Sequence, residues 1–217
     1  MQDKIVIFDW GGVILHEAPD TNSLQEAIIR TIRKYNSKLS TDEAYNIYLE
    51  SLLDENNINI STQNDKESKR NWVSRISKMA KTEIPYEDFI NTYSKECQKS
   101  SFYINVVKYI YSLKGKCKIG LFSNIIFACY ETLNMQIDLS IFDHVWLSYE
   151  IHERKPDEEA FIKVSNDLDI LPENILFIDD KMRNLNIAKA RGWNICCANG
   201  NELEKIKDKV ENFLKRR

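Results

Sequence analysis

Acidic residues stand directly after two short apolar runs. Asp9 follows the run IVIF and precedes Gly11 and Gly12, and the pair Asp179 and Asp180 follows or ends the run ILFI. An Asp in such a place can serve as a nucleophile or as a metal ligand. Two neighbouring carboxylates repel each other unless a cation or hydrogen-bond donors are present. Oxygen ligands of this kind suit Mg²⁺, so we expect a magnesium site that includes the Asp pair.

Two other polar positions suit an anion. Ser123 and Asn124 follow the apolar run IGLF and precede a segment with a helical pattern. A hydroxyl and backbone N–H groups at a helix N-terminus suit phosphate, although an ordinary N-cap is the commoner use of such a serine. Lys155 precedes Pro156, which we expect to open a helix at its first position. The helix dipole disfavours a cation there, and an anion lying between the two would relieve that cost.

The elements that must position these residues follow from the apolar pattern. Five short runs are almost continuously apolar, as is typical of strands buried on both faces of a parallel sheet: Lys4 to Phe8, Cys117 to Phe122, His144 to Leu147, Ile175 to Ile178, and Asn194 to Ala198. Helices are predicted from Tyr103 to Leu113, after Pro156, and from Asn184 to Arg191. This alternation predicts an α/β fold with a doubly wound, Rossmann-like parallel sheet.

One long interval interrupts the alternation. No convincing strand lies between the first run, which ends near Phe8, and the second, which begins near Cys117. Residues from about Pro19 to Gln98 have a helical pattern, and Ser40 to Glu43 has the pattern of a capping box. We expect a core domain over 1–16 and 100–217 and a helical domain over 17–99, inserted after the first strand, where open sheets bind ligands. The alternative is one large α/β domain. We expect most of the aromatic residues of the insert to fill its own core: Tyr45, Tyr48, Trp72 and Tyr86.

Composition argues against several classes of protein. The chain has 217 residues, with Lys+Arg 30 against Asp+Glu 33 and a net charge of −3, which argues against nucleic-acid binding. No apolar run approaches the ~18 residues of a membrane span. The five scattered cysteines form no CxxC pair and favour a reducing compartment, and the first residues do not resemble a signal peptide. We expect a cytoplasmic protein without a nucleic-acid or membrane partner, and the sequence carries no signal for an oligomeric state.

The order of these residues closely resembles the haloacid dehalogenase (HAD) superfamily. The matching stretches are IVIFDWGGVIL, IGLFSN, ERKPDEEAF and ILFIDDKMRNLNIAKARGW, which together reach from Ile5 to Trp193. The helical insert falls where that family carries its small helical cap. Within the superfamily, the FDWGGVI and ERKPD segments are most similar to the sugar-phosphate phosphatases typified by α-D-glucose-1-phosphate phosphatase.

The resemblance implies a Mg²⁺-dependent phosphatase, a phosphoric monoester hydrolase, acting on a small phosphorylated metabolite such as a sugar phosphate or a nucleotide-like compound. Asp9 would attack phosphorus and form an aspartyl-phosphate that water then hydrolyses. Mg²⁺ would lie between the Asp9 carboxylate, the Gly11 carbonyl and Asp180, with Asp179 supporting it directly or through water. Such a reaction depends on positioning and charge neutralisation.

The same resemblance assigns the groups that hold the phosphate. Ser123 and Lys155 would act catalytically on the phosphoryl oxygens, and the Asn124 backbone would assist. Gly11 and Gly12 would contribute to the phosphate-binding turn. Lys155 would also lower the repulsion between Asp9 and an anionic substrate.

The sequence departs from the family's usual pattern at Gly11. Most phosphatases of the superfamily carry an Asp there as general acid, a role worth typically ~10²–10⁴-fold in rate. His16 and Glu17 are candidates to replace it, although we favour a linker role for His16. Asn184 stands where many relatives have another acid, and its amide is expected to bond a metal-bound water, to orient Lys155, or to have no role.

Two alternative functions remain open from the sequence. A metal-independent 2-haloacid dehalogenase of the same superfamily also lacks the second Asp, but the pair Asp179 and Asp180 suits an unmetallated halocarboxylate site poorly. A catalytically weak protein that binds phospho-ligands would explain Gly11, but not the retention of Asp9 and Lys155.

Overall fold

A computed structural model of the chain describes residues 4–16, 23–63, 66–97, 101–125 and 138–216. Its strands are β1 (Ile5–Phe8), β2 (Leu15–His16), β3 (Ser101–Phe102), β4 (Lys118–Ser123), β5 (His144–Leu147), β6 (Ile175–Asp179) and β7 (Asn194–Cys197). Its α-helices are α1 (Ser23–Tyr35), α2 (Thr41–Ser51), α3 (Lys66–Met79), α4 (Tyr86–Cys97), α5 (Ile104–Leu113), α6 (Ser148–Ile151), α7 (Glu158–Asp167), α8 (Met182–Ala190) and α9 (Leu203–Lys215).

Five of the strands form one parallel sheet, in the order β5-β4-β1-β6-β7. β1 lies at its centre, and all four of its residues have no exposed surface. In the register, Phe8 stands opposite Leu121 of β4 and Ile178 of β6. The residues that follow these three positions therefore meet at the carboxyl edge of the sheet. The parallel α/β fold predicted from the apolar runs is confirmed.

Aromatic side chains dominate the apolar cluster on one face of the sheet. Phe122 of β4 packs edge-on against Phe161 of α7, with ring centroids 5.3 Å apart. Phe177 of β6 packs edge-on against Trp193, which precedes β7, at 6.2 Å. Edge-to-face contacts of this kind add stability beyond the area they bury. The cluster holds the strands whose carboxyl ends carry the polar residues.

Two local predictions were wrong. The interval after β1 was expected to contain no strand, but β2 and β3 pair antiparallel within it. Two residues are too few to produce a recognisable alternation. Pro156 was expected to open a helix, but α7 begins at Glu158, because Asp157 is still extended at its N-cap (φ −64°, ψ 134°).

The chain divides into two compact units. Within the described residues, the sheet unit comprises 4–16, 101–124 and 138–216, and the helical unit comprises 23–63, 66–97 and Ile125. The helical unit contains α1 to α4, and Ser40 with Glu43 forms the predicted capping box at the start of α2. Its core centres on Trp72, against which Phe89 and Tyr93 pack edge-on. Tyr48 and Tyr86 pack against this core, whereas Tyr45 is 39% exposed.

None of the helices in the described part of the chain is long and apolar enough to cross a membrane.

Candidate active site

The carboxyl ends of three neighbouring strands place the predicted residues together. Asp9 directly follows β1, Ser123 ends β4, and Asp179 ends β6. The Asp9 amide donates a hydrogen bond to the Ile178 carbonyl (2.9 Å), which extends the pairing of β1 with β6 by one residue. All three side chains are buried, at 5%, 2% and 0% exposure respectively. Such polar burial at the edge of a core sheet is unfavourable unless the groups satisfy one another.

Lys155 satisfies the two buried aspartates. Its ammonium lies 2.8 Å from Asp9 Oδ1 and 3.0 Å from Asp179 Oδ2. It also donates a hydrogen bond to the Phe122 carbonyl at 2.8 Å. An ammonium has three donors, so these three acceptors use its full capacity. Its side chain is 1% exposed, and its charge also faces the rings of Phe122 and Phe177, at 5.0 and 5.1 Å.

Asp9 is buried beside a cation and a second carboxylate. The pKa of Asp9 is raised from 3.8 to about 6, chiefly by burial and also by the neighbouring charge of Asp179, while Lys155 and Lys181 lower it. The Trp10 amide also donates to Asp9 Oδ1 at 2.7 Å. Burial therefore outweighs the stabilisation that Lys155 gives to the Asp9 carboxylate.

Asp179 and Asp180 differ in what surrounds their oxygens. Asp179 accepts a hydrogen bond from the Lys181 amide at Oδ1 (2.7 Å), and from Asn184 Nδ2 (2.8 Å) as well as Lys155 at Oδ2. Asp180 is half-buried. One carboxylate oxygen from each of Asp9, Asp179 and Asp180 lies within 4.8 Å of the others, close enough for one metal ion.

A glycine makes room for the Asp180 carboxylate. Gly12 has a left-handed φ of 81°, and a Cβ atom built on it would lie 2.6 Å from Asp180 Oδ2. The Gly12 carbonyl accepts a hydrogen bond from the Gly200 amide at 2.9 Å, which ties this turn to the loop after β7. Gly11 forms an isolated bridge with Leu15 in the same turn.

Two asparagines have side-chain contacts that the sequence did not indicate. Asn124 was expected to act through its backbone, but its side-chain amide pairs with the main chain of Lys155. The Lys155 amide donates to Asn124 Oδ1 at 2.8 Å, and Asn124 Nδ2 donates to the Lys155 carbonyl at 2.7 Å. Asn184, on α8, bonds Asp179. The only sequence signal for Asn124 was its place after β4, because its partner lies 31 residues further along the chain.

His16, one of the two candidate acids outside the ends of the parallel strands, contacts an aromatic ring. His16 lies in β2, where its ring packs on that of Tyr103 with centroids 4.9 Å apart. Its contact is thus with the residue that precedes α5. Glu17 lies outside the described residues.

Comparison with known proteins gives the family and the fold. The sequence profile of the haloacid dehalogenase-like hydrolases matches residues 6–198. A predicted HAD-like family hydrolase from Porphyromonas gingivalis superposes with a TM-score of 0.71 and 21% identity, covering 100% of both chains. No protein of curated function matches the sequence significantly.

Two of the similar structures differ in the ligands that they contain. A HAD family enzyme from Bacteroides thetaiotaomicron, in complex with magnesium and inorganic phosphate, has a TM-score of 0.68 and 18% identity, covering 92% of this chain and 96% of its own. The L-2-haloacid dehalogenase of Xanthobacter autotrophicus, with chloropropionic acid covalently bound, has a TM-score of 0.56 and 16% identity, covering 89% and 76%. At such identities the likeness establishes the fold alone.

Proposed function

The chain belongs to the haloacid dehalogenase-like hydrolases, and on that premise we propose that it is a Mg²⁺-dependent phosphatase of small phosphorylated metabolites. The observation that carries the proposal is the gathering of three carboxylates, those of Asp9, Asp179 and Asp180, the first two of which pair with Lys155. Three carboxylates and one ammonium leave two negative charges. A divalent cation balances that charge, and oxygen ligands suit Mg²⁺.

The residues present fit such an ion. Asp9 and Asp180 would hold it together with the Gly11 carbonyl, because Asp179 already accepts hydrogen bonds at both oxygens. Gly12 supports this assignment, since any side chain there would press on the Asp180 carboxylate. The ion would supply charge neutralisation for the transferred phosphoryl group. The magnesium and phosphate bound to the Bacteroides relative support the same chemistry.

In this proposal, Asp9 is the nucleophile of the covalent step. A carboxylate oxygen of Asp9 attacks phosphorus, the bond to the leaving oxygen breaks, and that oxygen takes a proton from water because Gly11 offers no acid. Water then attacks the aspartyl-phosphate, which releases inorganic phosphate and restores the carboxylate. Lys155 keeps Asp9 ionised and screens it from the substrate's charge, as phosphoryl transfer requires.

The phosphoryl oxygens and the substrate's remainder have separate binding groups in this proposal. Ser123 and the backbone of Asn124 would hold the phosphate, and Lys155, whose three donors already bond protein acceptors, would attract it through its charge. The Gly12 N–H, which was expected to contribute, donates to the Leu15 carbonyl at 2.9 Å. The helical domain, 17–99, would act as the cap that selects the substrate and excludes water. Sugar phosphates such as glucose 1-phosphate are the first candidates, from the resemblance of the FDWGGVI and ERKPD segments. A cytoplasmic location is part of the proposal and agrees with the free thiols of Cys117, Cys196 and Cys197.

The test is phosphate release by the full chain, with and without Mg²⁺. Substrates are p-nitrophenyl phosphate and a panel of sugar phosphates and nucleotides that includes glucose 1-phosphate and FMN. We expect release that requires Mg²⁺ and stops on chelation. Halide release from 2-chloropropionate without metal would instead establish the dehalogenase alternative, which Gly11 also fits. Tight phosphate binding without any turnover would establish a binding protein and contradict the proposal.

A further inference from the structure

The end of β4 holds Lys155 at two separate points. The carbonyl of Phe122 accepts a hydrogen bond from the ammonium at 2.8 Å. Two residues further on, the side-chain amide of Asn124 accepts from the Lys155 N–H at 2.8 Å and donates to the Lys155 carbonyl at 2.7 Å. The same short segment of the chain thus holds both the ammonium and the main chain of Lys155. A lysine side chain is a flexible stem of four carbons, so anchoring only its ammonium would leave its main chain free to shift.

The paired amide bonds constrain Lys155 more than a single bond would. Because the two bonds run to the N–H and C=O of one residue, they set both the position and the tilt of its backbone. Asn124 and Lys155 are also covered, so water is a poor substitute for either bond: Lys155 is 2% exposed and Asn124 is half-buried. The hydrogen bonds of the Asn124 side chain run to Lys155 and to none of the three aspartates, so the effect of this side chain on the site passes through Lys155.

We propose that Asn124 is a positioning residue for Lys155, whose side-chain amide places the ammonium between Asp9 and Asp179. This rests on the proposed function for what Lys155 does to a phosphoryl group. It adds a role for the side chain to the backbone role expected for Asn124. Reacting groups misplaced by ~1 Å can lose about 10²-fold in rate, and the Asn124 amide is the contact that prevents such a shift.

The chain supplies a matched control in Asn194. Its Nδ2 also donates to backbone carbonyls, those of Glu173 (2.8 Å) and Ile175 (3.3 Å). Asn194 opens β7 and Ile175 opens β6, so these bonds lie at the amino edge of the parallel sheet, opposite to Asp9. Asn194→Ala therefore removes comparable bonds from the same unit without touching Lys155.

The experiment compares Asn124→Ala, Asn194→Ala and the wild-type chain, each loaded with Mg²⁺. We expect Asn124→Ala to lower kcat for p-nitrophenyl phosphate by about 10²-fold and to weaken inhibition by inorganic phosphate, because both depend on the ammonium. The Mg²⁺ concentration for half-maximal activity should stay within about threefold, since Asn124 does not contact the carboxylates that hold the metal. Asn194→Ala should keep kcat within about twofold.

Asn124→Asp separates the two amide bonds. The carboxylate keeps an acceptor for the Lys155 N–H and loses the donor to the Lys155 carbonyl, so the Lys155 amide should retain protection from hydrogen exchange that Asn124→Ala loses. A kcat for Asn124→Ala within about twofold of the wild-type value, or an equal loss in Asn194→Ala, overturns the proposal and makes Asn124 a tether only.

The hydrogen-exchange readout also separates the two proposals. If the wild-type chain releases no phosphate, the phosphatase proposal fails. Faster exchange of the Lys155 amide in Asn124→Ala, with no change in Asn194→Ala, would still support the positioning of Lys155. Unchanged exchange in Asn124→Ala would overturn that as well.

Discussion

The two units of the molecule differ in what they bury. At the carboxyl edge of its sheet, the sheet unit buries Asp9, Lys155 and Asp179 with at most 5% of any of them exposed. The core cluster of the helical unit is apolar and aromatic around Trp72, although this unit also buries Lys69 and Glu96, at 6% and 8% exposure. The ion pair that joins α1 to α4, Lys34 with Asp88, has side chains 65% and 48% exposed.

This difference indicates where each unit's sequence is constrained. Burying charge is expensive unless partners compensate it. The loss of one charged residue at the sheet edge therefore leaves the buried charge of its partner uncompensated. The core of the helical unit depends mainly on hydrophobic side chains of suitable volume, together with one buried hydrogen bond from Trp72 Nε1 to Ser51 Oγ at 3.0 Å. Substitutions at the sheet edge should therefore change chemistry, and substitutions in the helical unit should change stability, in the following order of expected effect.

The largest effect is expected from Asp9→Asn. Removal of a nucleophile lowers turnover by roughly 10⁴-fold or more, and the amide can still accept the hydrogen bonds from Trp10 and Lys155, so the fold should persist. The measurement is Mg²⁺-dependent phosphate release, with circular dichroism to show folding. Asp143→Asn is the control, because Asp143 accepts a hydrogen bond from the Ile119 amide at the far end of β4 (2.7 Å). Residual turnover near the wild-type value would remove Asp9 as the nucleophile.

Lys155→Met is expected to be the most destabilising change. It leaves Asp9 and Asp179 buried without their cation, and breaking a buried pair typically costs about 3–5 kcal/mol. Urea unfolding of the metal-free protein measures the loss. Lys163→Met is the matched control, because Lys163 pairs with Glu153 at 3.4 Å but is 47% exposed, and such pairs contribute about 0–1 kcal/mol. Equal losses in the two variants would contradict the contrast between buried and exposed charge.

The sequence predicted which residues lie at the carboxyl edge of the sheet, because the end of each strand can be recognised in the sequence. Each buried strand is a continuous apolar run, so the first polar residue after it, such as Asp9 or Asp179, marks the carboxyl edge. In a parallel sheet those ends meet regardless of the intervening segments. This is why residues far apart along the chain could be placed together without knowledge of the loops.

The contacts that were missed depend on loop geometry. The hydrogen bonds between Asn124 and Lys155 join segments that lie 31 residues apart. Nothing in the type of either residue indicates that the other is its partner. β2 and β3 have two residues each, too few for a periodic pattern. The start of α7 shifted from Pro156 to Glu158 because Asp157 provides the extended N-cap. The subgroup and the substrate depend on features of this kind, and they stay predictions.

A smaller effect is expected from Gly12→Ala, and Gly115 isolates its cause. Both glycines have left-handed backbones, with φ of 81° and 80°, so Ala should cost about 1–2 kcal/mol at either position. A Cβ at Gly12 would displace the Asp180 carboxylate, whereas a Cβ at Gly115 would meet nothing within 4 Å. We therefore expect only Gly12→Ala to weaken Mg²⁺ affinity, by roughly 10–100-fold.

Calorimetric titration measures the loss of Mg²⁺ affinity, and urea unfolding measures the loss of stability. If Gly115→Ala weakens Mg²⁺ binding as much as Gly12→Ala does, the loss of affinity comes from backbone strain and not from displacement of the Asp180 carboxylate.

The smallest effect is expected from Ser40→Ala in the helical unit. Ser40 accepts from the Glu43 amide at 3.1 Å and its own amide donates to Glu43 at 2.7 Å, and loss of such a cap typically costs about 1 kcal/mol. Ser74→Ala, at an exposed position within α3, is the control and should not destabilise. Neither variant should alter Mg²⁺-dependent turnover of p-nitrophenyl phosphate, because neither touches the sheet edge. A fall in kcat for Ser40→Ala alone would contradict this prediction and would mean that the start of α2 also supports turnover.

The same cap gives that prediction a pH dependence. Hydrogen bonds from Ser40 lower the pKa of Glu43 below 4.5, so the folded state binds this proton less readily than the unfolded chain does. The contribution to stability is therefore complete above pH 4.5 and is lost as the pH falls through the lowered folded value. The difference in unfolding midpoint between the wild-type chain and Glu43→Gln should accordingly fall in acid, because the glutamine does not titrate. A difference that stayed constant from neutral pH into acid would show that the charge of Glu43 adds nothing to the stability of the start of α2.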